Sequence, residues 1–169
     1  YNDASGTFTM DSGTIKGNTV GMGDGAGVYN AGTFYMKGGT IEGSSMMLGN
    51  GGGVYNRSIF EMSGGTITKN ISGPQNGGGV YNAASGSFTM KGSSTIEGNE
   101  AFFSGGGVYN DGIFAMEQGT VTGNEVSSYG GGIYNGTAGT FTMSGGRVTK
   151  NTALAENPSA GTVNRNKGG

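Results

Sequence analysis

Gly77-Gly78-Gly79-Val80-Tyr81-Asn82 is followed by Phe88-Thr89-Met90 and then by Ile96-Glu97-Gly98-Asn99. The same order of anchors recurs on both sides of this stretch. The Tyr-Asn pair stands at Tyr1-Asn2, Tyr29-Asn30, Tyr55-Asn56, Tyr81-Asn82, Tyr109-Asn110 and Tyr134-Asn135, in steps of 28, 26, 26, 28 and 25 residues. Phe-x-Met follows each pair: Phe8/Met10, Phe34/Met36, Phe60/Met62, Phe88/Met90, Phe114/Met116 and Phe141/Met143. Ile/Val-x-x-Asn comes next, at Ile15/Asn18, Ile67/Asn70, Ile96/Asn99, Val121/Asn124 and Val148/Asn151, with Ser44 replacing Asn after Ile41. A glycine-rich run then closes on Val28, Val54, Val80, Val108, Ile133 or Val163. A fixed internal period of this length is the signature of a repeat architecture.

Each repeat holds three short apolar anchors separated by Gly, Ser and Asn. Phe-x-Met and Val-Tyr-Asn have the two-residue period of a strand, which puts Phe with Met on one face and sets Tyr opposite Val and Asn. Strands this short pair usefully only with the same strand one repeat later, about 4.8 Å along an axis. The sequence therefore predicts an all-β fold: a right-handed single-stranded parallel β-helix, or β-solenoid, of about six turns with three short strands per turn, roughly 30 Å long. Blades of about 40 residues or a Leu pattern would be needed for a propeller or a leucine-rich horseshoe. The expected domain is 1–163, divided into repeats 1–28, 29–54, 55–80, 81–108, 109–133 and 134–163, with an irregular tail at 164–169. Two asparagine ladders are expected at corners. One holds Asn30, Asn56, Asn82, Asn110 and Asn135; the other holds Asn18, Asn70, Asn99, Asn124 and Asn151. Their amides can bond the turn backbone and each other.

Composition agrees. Forty of the 169 residues are glycine, yet not at every third position as collagen requires. With neither Cys nor His, the chain lacks a disulfide framework, a thiolate metal site and the commonest general base. A net charge of −2 without a basic run argues against a nucleic-acid surface, and no apolar run is long enough to span a membrane as a helix.

Candidate functional features are few. The acids scatter over different columns, and Asp11–Lys37 and Lys16–Glu42 read as surface ion pairs between rungs. Glu97 and Glu100 lie across a corner rather than as a catalytic pair. Asp24, within Gly21-Met-Gly-Asp-Gly25, has no counterpart one turn on, so calcium is not expected there. No catalytic residue, metal ligand or cofactor is assigned. Asn70-Ile71-Ser72 and Asn135-Gly136-Thr137 fit a glycosylation pattern but occupy ladder columns. Tyr29, Tyr55, Tyr81, Tyr109 and Tyr134 are expected to form an exposed aromatic stripe, able to stack on sugar rings or pack on a partner solenoid. The segments after the second Asn vary in length and content and are read as a loop edge, which in solenoids often marks the binding face.

The motifs "GGGVYN" (Gly51–Asn56, Gly77–Asn82, Gly105–Asn110) and "SGGTITKN" (Ser63–Asn70) resemble repeats of right-handed β-helix surface proteins of bacteria, notably repeat-rich surface proteins of gut Firmicutes. A more distant similarity is to the chlamydial polymorphic outer-membrane protein repeats. The resemblance reaches to about Asn151. It implies an extracellular or cell-surface location and an adhesive or structural role, and it carries over no catalytic residue. The chain opens inside a repeat, so upstream residues are expected. No amphipathic helix is seen to cap either end. The expected partners are thus neighbouring repeats of a longer chain or a second copy stacked end to end, with a glycan or host surface possible. A carbohydrate-binding or carbohydrate-processing solenoid, using the Tyr stripe and the loop edge, is the alternative.

Overall fold

The structure is a computed structural model that describes residues 1–154, 156–157 and 162–163. The third turn shows the unit. Ile59–Met62, Thr66–Thr68, Ile71–Ser72 and Val80–Asn82 are strands, and none pairs with another strand of its own turn. Each instead pairs in parallel with its counterparts one repeat before and after. Phe60 lies between Phe34 and Phe88, Ile67 between Ile41 and Ile96, and Tyr81 between Tyr55 and Tyr109. Three six-stranded sheets and one five-stranded sheet result, wrapped as a parallel β-solenoid of about six turns.

The turn carries one more strand than the three expected. The segment after the second Asn, read as a loop, begins with a strand in every turn, from Thr19–Met22 to Thr152–Ala153. Its inward residues are Met46, Ser72, Ala101 and Val126, all buried. They differ in chemistry from rung to rung, so they form no column that a sequence repeat could reveal.

The main core is built from identical residues stacked in columns: Phe34, Phe60, Phe88 and Phe114; Met36, Met62, Met90 and Met116; Ile41, Ile67 and Ile96 with Val121; and Val54, Val80 and Val108. Neighbouring Phe rings lie 4.6–4.9 Å apart in near-parallel stacks, because the backbone ladder sets the spacing. The glycine before each Val has no room for a side chain. A Cβ at Gly79 would sit 2.6 Å from the Gly107 carbonyl oxygen and 2.9 Å from Ile96. Two residues earlier, Gly77 has φ of 70°, a left-handed conformation that favours glycine.

The same constraint corrects the end of the sixth repeat. Val163 was expected on the Val column, which in fact ends at Ile133. Thr162 stands where the other turns place the glycine that admits no Cβ. Glu156–Asn157 and Thr162–Val163 pair antiparallel instead, Glu156 against Val163. The 164–169 tail lies outside the described residues.

Candidate functional site

Two surfaces carry what the core columns leave free: the row of tyrosines and the face made by the added strand. The corners between them are held by polar ladders.

In the Val-Tyr-Asn strands, Val and Asn are buried and Tyr faces outward, half-buried. Asn30 donates from Nδ2 to Asn56 Oδ1 at 2.8 Å, Asn56 to Asn82 at 2.8 Å, Asn82 to Asn110 at 2.7 Å and Asn110 to Asn135 at 2.7 Å. Asn2 joins the same ladder through Asn30 at 2.7 Å. The second ladder is stronger per rung. Both the backbone N–H and Nδ2 of Asn70 donate to Asn99 Oδ1, each at 3.0 Å, while that Nδ2 also donates to the Ile41 carbonyl. Asn99 repeats this with Asn124, and Asn124 with Asn151. Asn18 was expected in this ladder, but it is exposed. Its neighbour one turn on is Ser44, whose hydroxyl offers no amide to bond and is itself buried without a partner.

A third, short ladder was missed. Asp24 Oδ1 accepts from the Asn50 backbone N–H at 2.8 Å, and Asn50 Oδ1 accepts from that of Asn76 at 3.3 Å. Asp24 does have a counterpart one turn on, an amide rather than an acid. The column stands at a fixed place, five residues before Tyr29, Tyr55 and Tyr81, but it mixes an acid with amides and gives way to Ser104 and Tyr129 in the next two turns.

The structure brings all five predicted tyrosines together and adds Tyr1. Ring centroids are 4.8–5.2 Å apart, with interplanar angles of 2–18°. Each inner ring is therefore covered on both faces by its neighbours. What remains accessible is a row of ring edges and phenol hydroxyls. Tyr81 donates its O–H to Asp111 at 3.2 Å, and Arg57 donates to the Tyr29 hydroxyl at 3.3 Å. Burial, followed by the Asp111 carboxylate, holds Tyr81 well above the usual phenol range and raises Tyr109 as well. Burial also raises Tyr55, with Asp24 adding to it. Both effects disfavour the phenolate, so Tyr55, Tyr81 and Tyr109 are held as neutral phenols.

The predicted ion pairs form, Lys16–Glu42 at 2.8 Å and Lys37–Asp11 at 3.5 Å, and Lys91–Glu61 at 3.0 Å joins them. Glu97 and Glu100 fall on different sheets. Among the described residues, no group of three potential metal-ligating side chains comes together. No helix among them is long and apolar enough to cross a membrane.

On the added face, beside the exposed Thr19, Glu100 and Glu125, stand large exposed apolar side chains: Met22, Met47 and Leu48 in the first two turns, then Ile71, Phe102 and Phe103 in the next two, with Tyr129 beyond. Phe102 and Phe103 pack edge to face at 5.1 Å. This is the variable edge that the sequence marked as the binding face, now seen as a sheet.

The fold defines the chain as a parallel β-solenoid with asparagine ladders. Compared with known proteins, it matches no family model, no curated protein and no solved structure.

Proposed function

We propose that the chain is a non-catalytic structural rod, an extracellular or bacterial cell-surface solenoid that serves as a stalk or adhesive segment. In this reading each end takes a further turn of the same kind, supplied by neighbouring repeats of a longer chain or by a second copy. The observation that carries the proposal is the face beyond the last full turn. A cavity of about 540 Å³ there is lined by Ile133, Phe141, Met143, Val148, Asn135 and Asn151, the same columns that every inner turn offers to the next. Asn135 and Asn151 accept from the turn before them and are the last acceptors of the two ladders among the described residues. The opposite end repeats the arrangement with Tyr1, Asn2, Phe8, Ile15 and Val28 around a cavity of about 200 Å³. Contact of one end with the other is heterologous and does not close, so it extends a rod.

Electron microscopy and fibre diffraction of the purified 169-residue chain test this. Filaments with a meridional repeat of about 4.8 Å are expected. Monodisperse single chains that bind a glycan, with binding lost in Tyr81→Ala and Tyr109→Ala, would overturn the reading in favour of a carbohydrate-binding solenoid. Glycan cleavage abolished by Glu97→Gln would overturn the non-catalytic assignment. The stacked tyrosines weigh against the carbohydrate alternative in its simplest form, since sugar stacking needs a ring face that the inner rings of the row do not offer.

A further inference from the structure

We infer that the added face is a self-association surface, on which a second copy of this chain docks side by side and antiparallel. This contact is separate from the end-to-end one and does not depend on it.

The argument starts from register. Met46, Ser72 and Ala101 are aligned across neighbouring turns, so Met47 and Phe102, each the next residue, share one lateral position on turns two and four. Met22 is aligned with Leu48 on turn one, while Phe103, whose backbone N–H donates to the Gln75 carbonyl, lies beyond Leu48 toward the next corner. Tyr129 on turn five lies one position beyond, bridged to Ser104. Ile71 is on turn three, at the middle of the stripe. Methionine and leucine thus occupy one half, and aromatic rings the other.

A two-fold axis lying in the interface, perpendicular to the rod and level with Ile71, reverses turn order while keeping lateral position. It sets turn two against turn four and turn one against turn five. Met47 then meets Phe102 of the second copy, and Leu48 and Met22 lie beside Phe103 and Tyr129. Thioethers on aromatic rings are favourable contacts. The same operation places the exposed carboxylates. Glu100 and Glu125 are aligned with Ser45 and Thr19 at the first position of the face. Across the axis, Glu100 meets Ser45 and Glu125 meets Thr19, so hydroxyl donors face both acids. A two-fold along the rod would instead reverse lateral position and drive both carboxylates onto the aromatic edge, at a desolvation cost. The stripe is therefore complementary to itself in one orientation, as an isologous contact requires. An exposed apolar stripe of this kind on a rigid sheet marks an interaction surface.

Sedimentation of the full chain provides the test, in a Val148→Glu background that blocks the end face so that filaments and dimers are read separately. A species of twice the 16.9 kDa chain mass is expected. Met47→Glu alone and Phe102→Lys alone should each return it to the single-chain mass. The two changes combined in one chain should restore the dimer, because the antiparallel arrangement sets each new charge against its opposite. Circular dichroism of every variant checks that the solenoid is folded. A chain that sediments singly while folded overturns the proposal. So does a dimer that survives both single changes, or one that the combined change fails to restore.

Discussion

Ser44 is where the inner asparagine column loses its amide. Its hydroxyl is buried with no partner, and its backbone N–H still donates to Asn70 Oδ1 at 3.0 Å. In the turns that follow, the glycine before Val packs against the amide of the next turn, as Gly53 does against Asn70 and Gly79 against Asn99. Gly27 has no such amide beside it. Ser44→Asn should fill that space, accept from the Asn18 backbone and donate to Asn70. Each net hydrogen bond contributes about 1 kcal/mol. A gain of about 1–2 kcal/mol is expected, visible as a rise of a few degrees in Tm by thermal unfolding. An unchanged or lowered Tm would show that the site cannot take the amide. The Ser44 break was legible in the repeat, because one odd residue stands out in a uniform column. Asp24, Asn50 and Asn76 were not, since their column mixes two residue types and gives way to Ser104 and Tyr129 in the next turns. Nor was the left-handed backbone of Lys69 and Lys150, at φ 55° and 57°, in a column otherwise held by glycines such as Gly43 and Gly98.

At the scale of elements, the ladders and the tyrosine row should differ in what they contribute. Asn99 is fully enclosed. Its Oδ1 accepts two bonds from Asn70, and its Nδ2 donates to the Ile67 carbonyl and to Asn124. Asn99→Ala leaves several buried groups unpaired, at a cost of about 3 kcal/mol or more. Asn135 is exposed at the last rung, and Asn135→Ala should cost under about 1 kcal/mol. Chemical unfolding of the two variants measures the contrast, and equal losses would refute the ladder as a stabilising element. The tyrosine row gives a pH dependence. Tyr81 and Tyr109 hold their protons more tightly in the fold than the ordinary phenol value of 10.0. Their contribution is therefore fully present below pH 10 and is lost as pH rises above it, because the unfolded chain releases those protons first. The unfolding midpoint should fall through this range, and less steeply in Tyr81→Phe/Tyr109→Phe. Thermal scans at stepped alkaline pH follow it. Three of the strands per turn were legible because their inward residues repeat. The added strand was not: Met46, Ser72, Ala101 and Val126 share burial but no side-chain identity. What places them is the backbone ladder, which reads position and ignores residue type.

For the whole molecule, the decisive property is that every strand of the six turns pairs only with its counterparts one turn away, the short antiparallel pair at 156–157 and 162–163 excepted. Stability in such an array is close to a sum over turns and the interfaces between neighbours. One complete turn can then be removed without destroying the rest. Excision of residues 55–80 joins Val54 to Tyr81 and keeps the Gly-Gly-Gly-Val-Tyr-Asn sequence intact across the junction. The Phe, Met, Ile and Val columns close up in register, with Phe88 now above Phe34. The shortened chain should fold cooperatively to the same β-rich state. Its denaturant m-value should be lower by roughly a sixth, since m scales with the surface exposed on unfolding. Removing only residues 55–67 should give no comparable state, because it would set the remaining half-turn out of register and put polar residues where the columns need Phe and Ile. Matched guanidinium titrations of the two deletions decide the point. If both unfold alike, the solenoid is not an additive stack of turns. If the full-turn deletion keeps its cooperative transition and the half-turn deletion does not, the turn is the unit in which this molecule is lengthened or shortened.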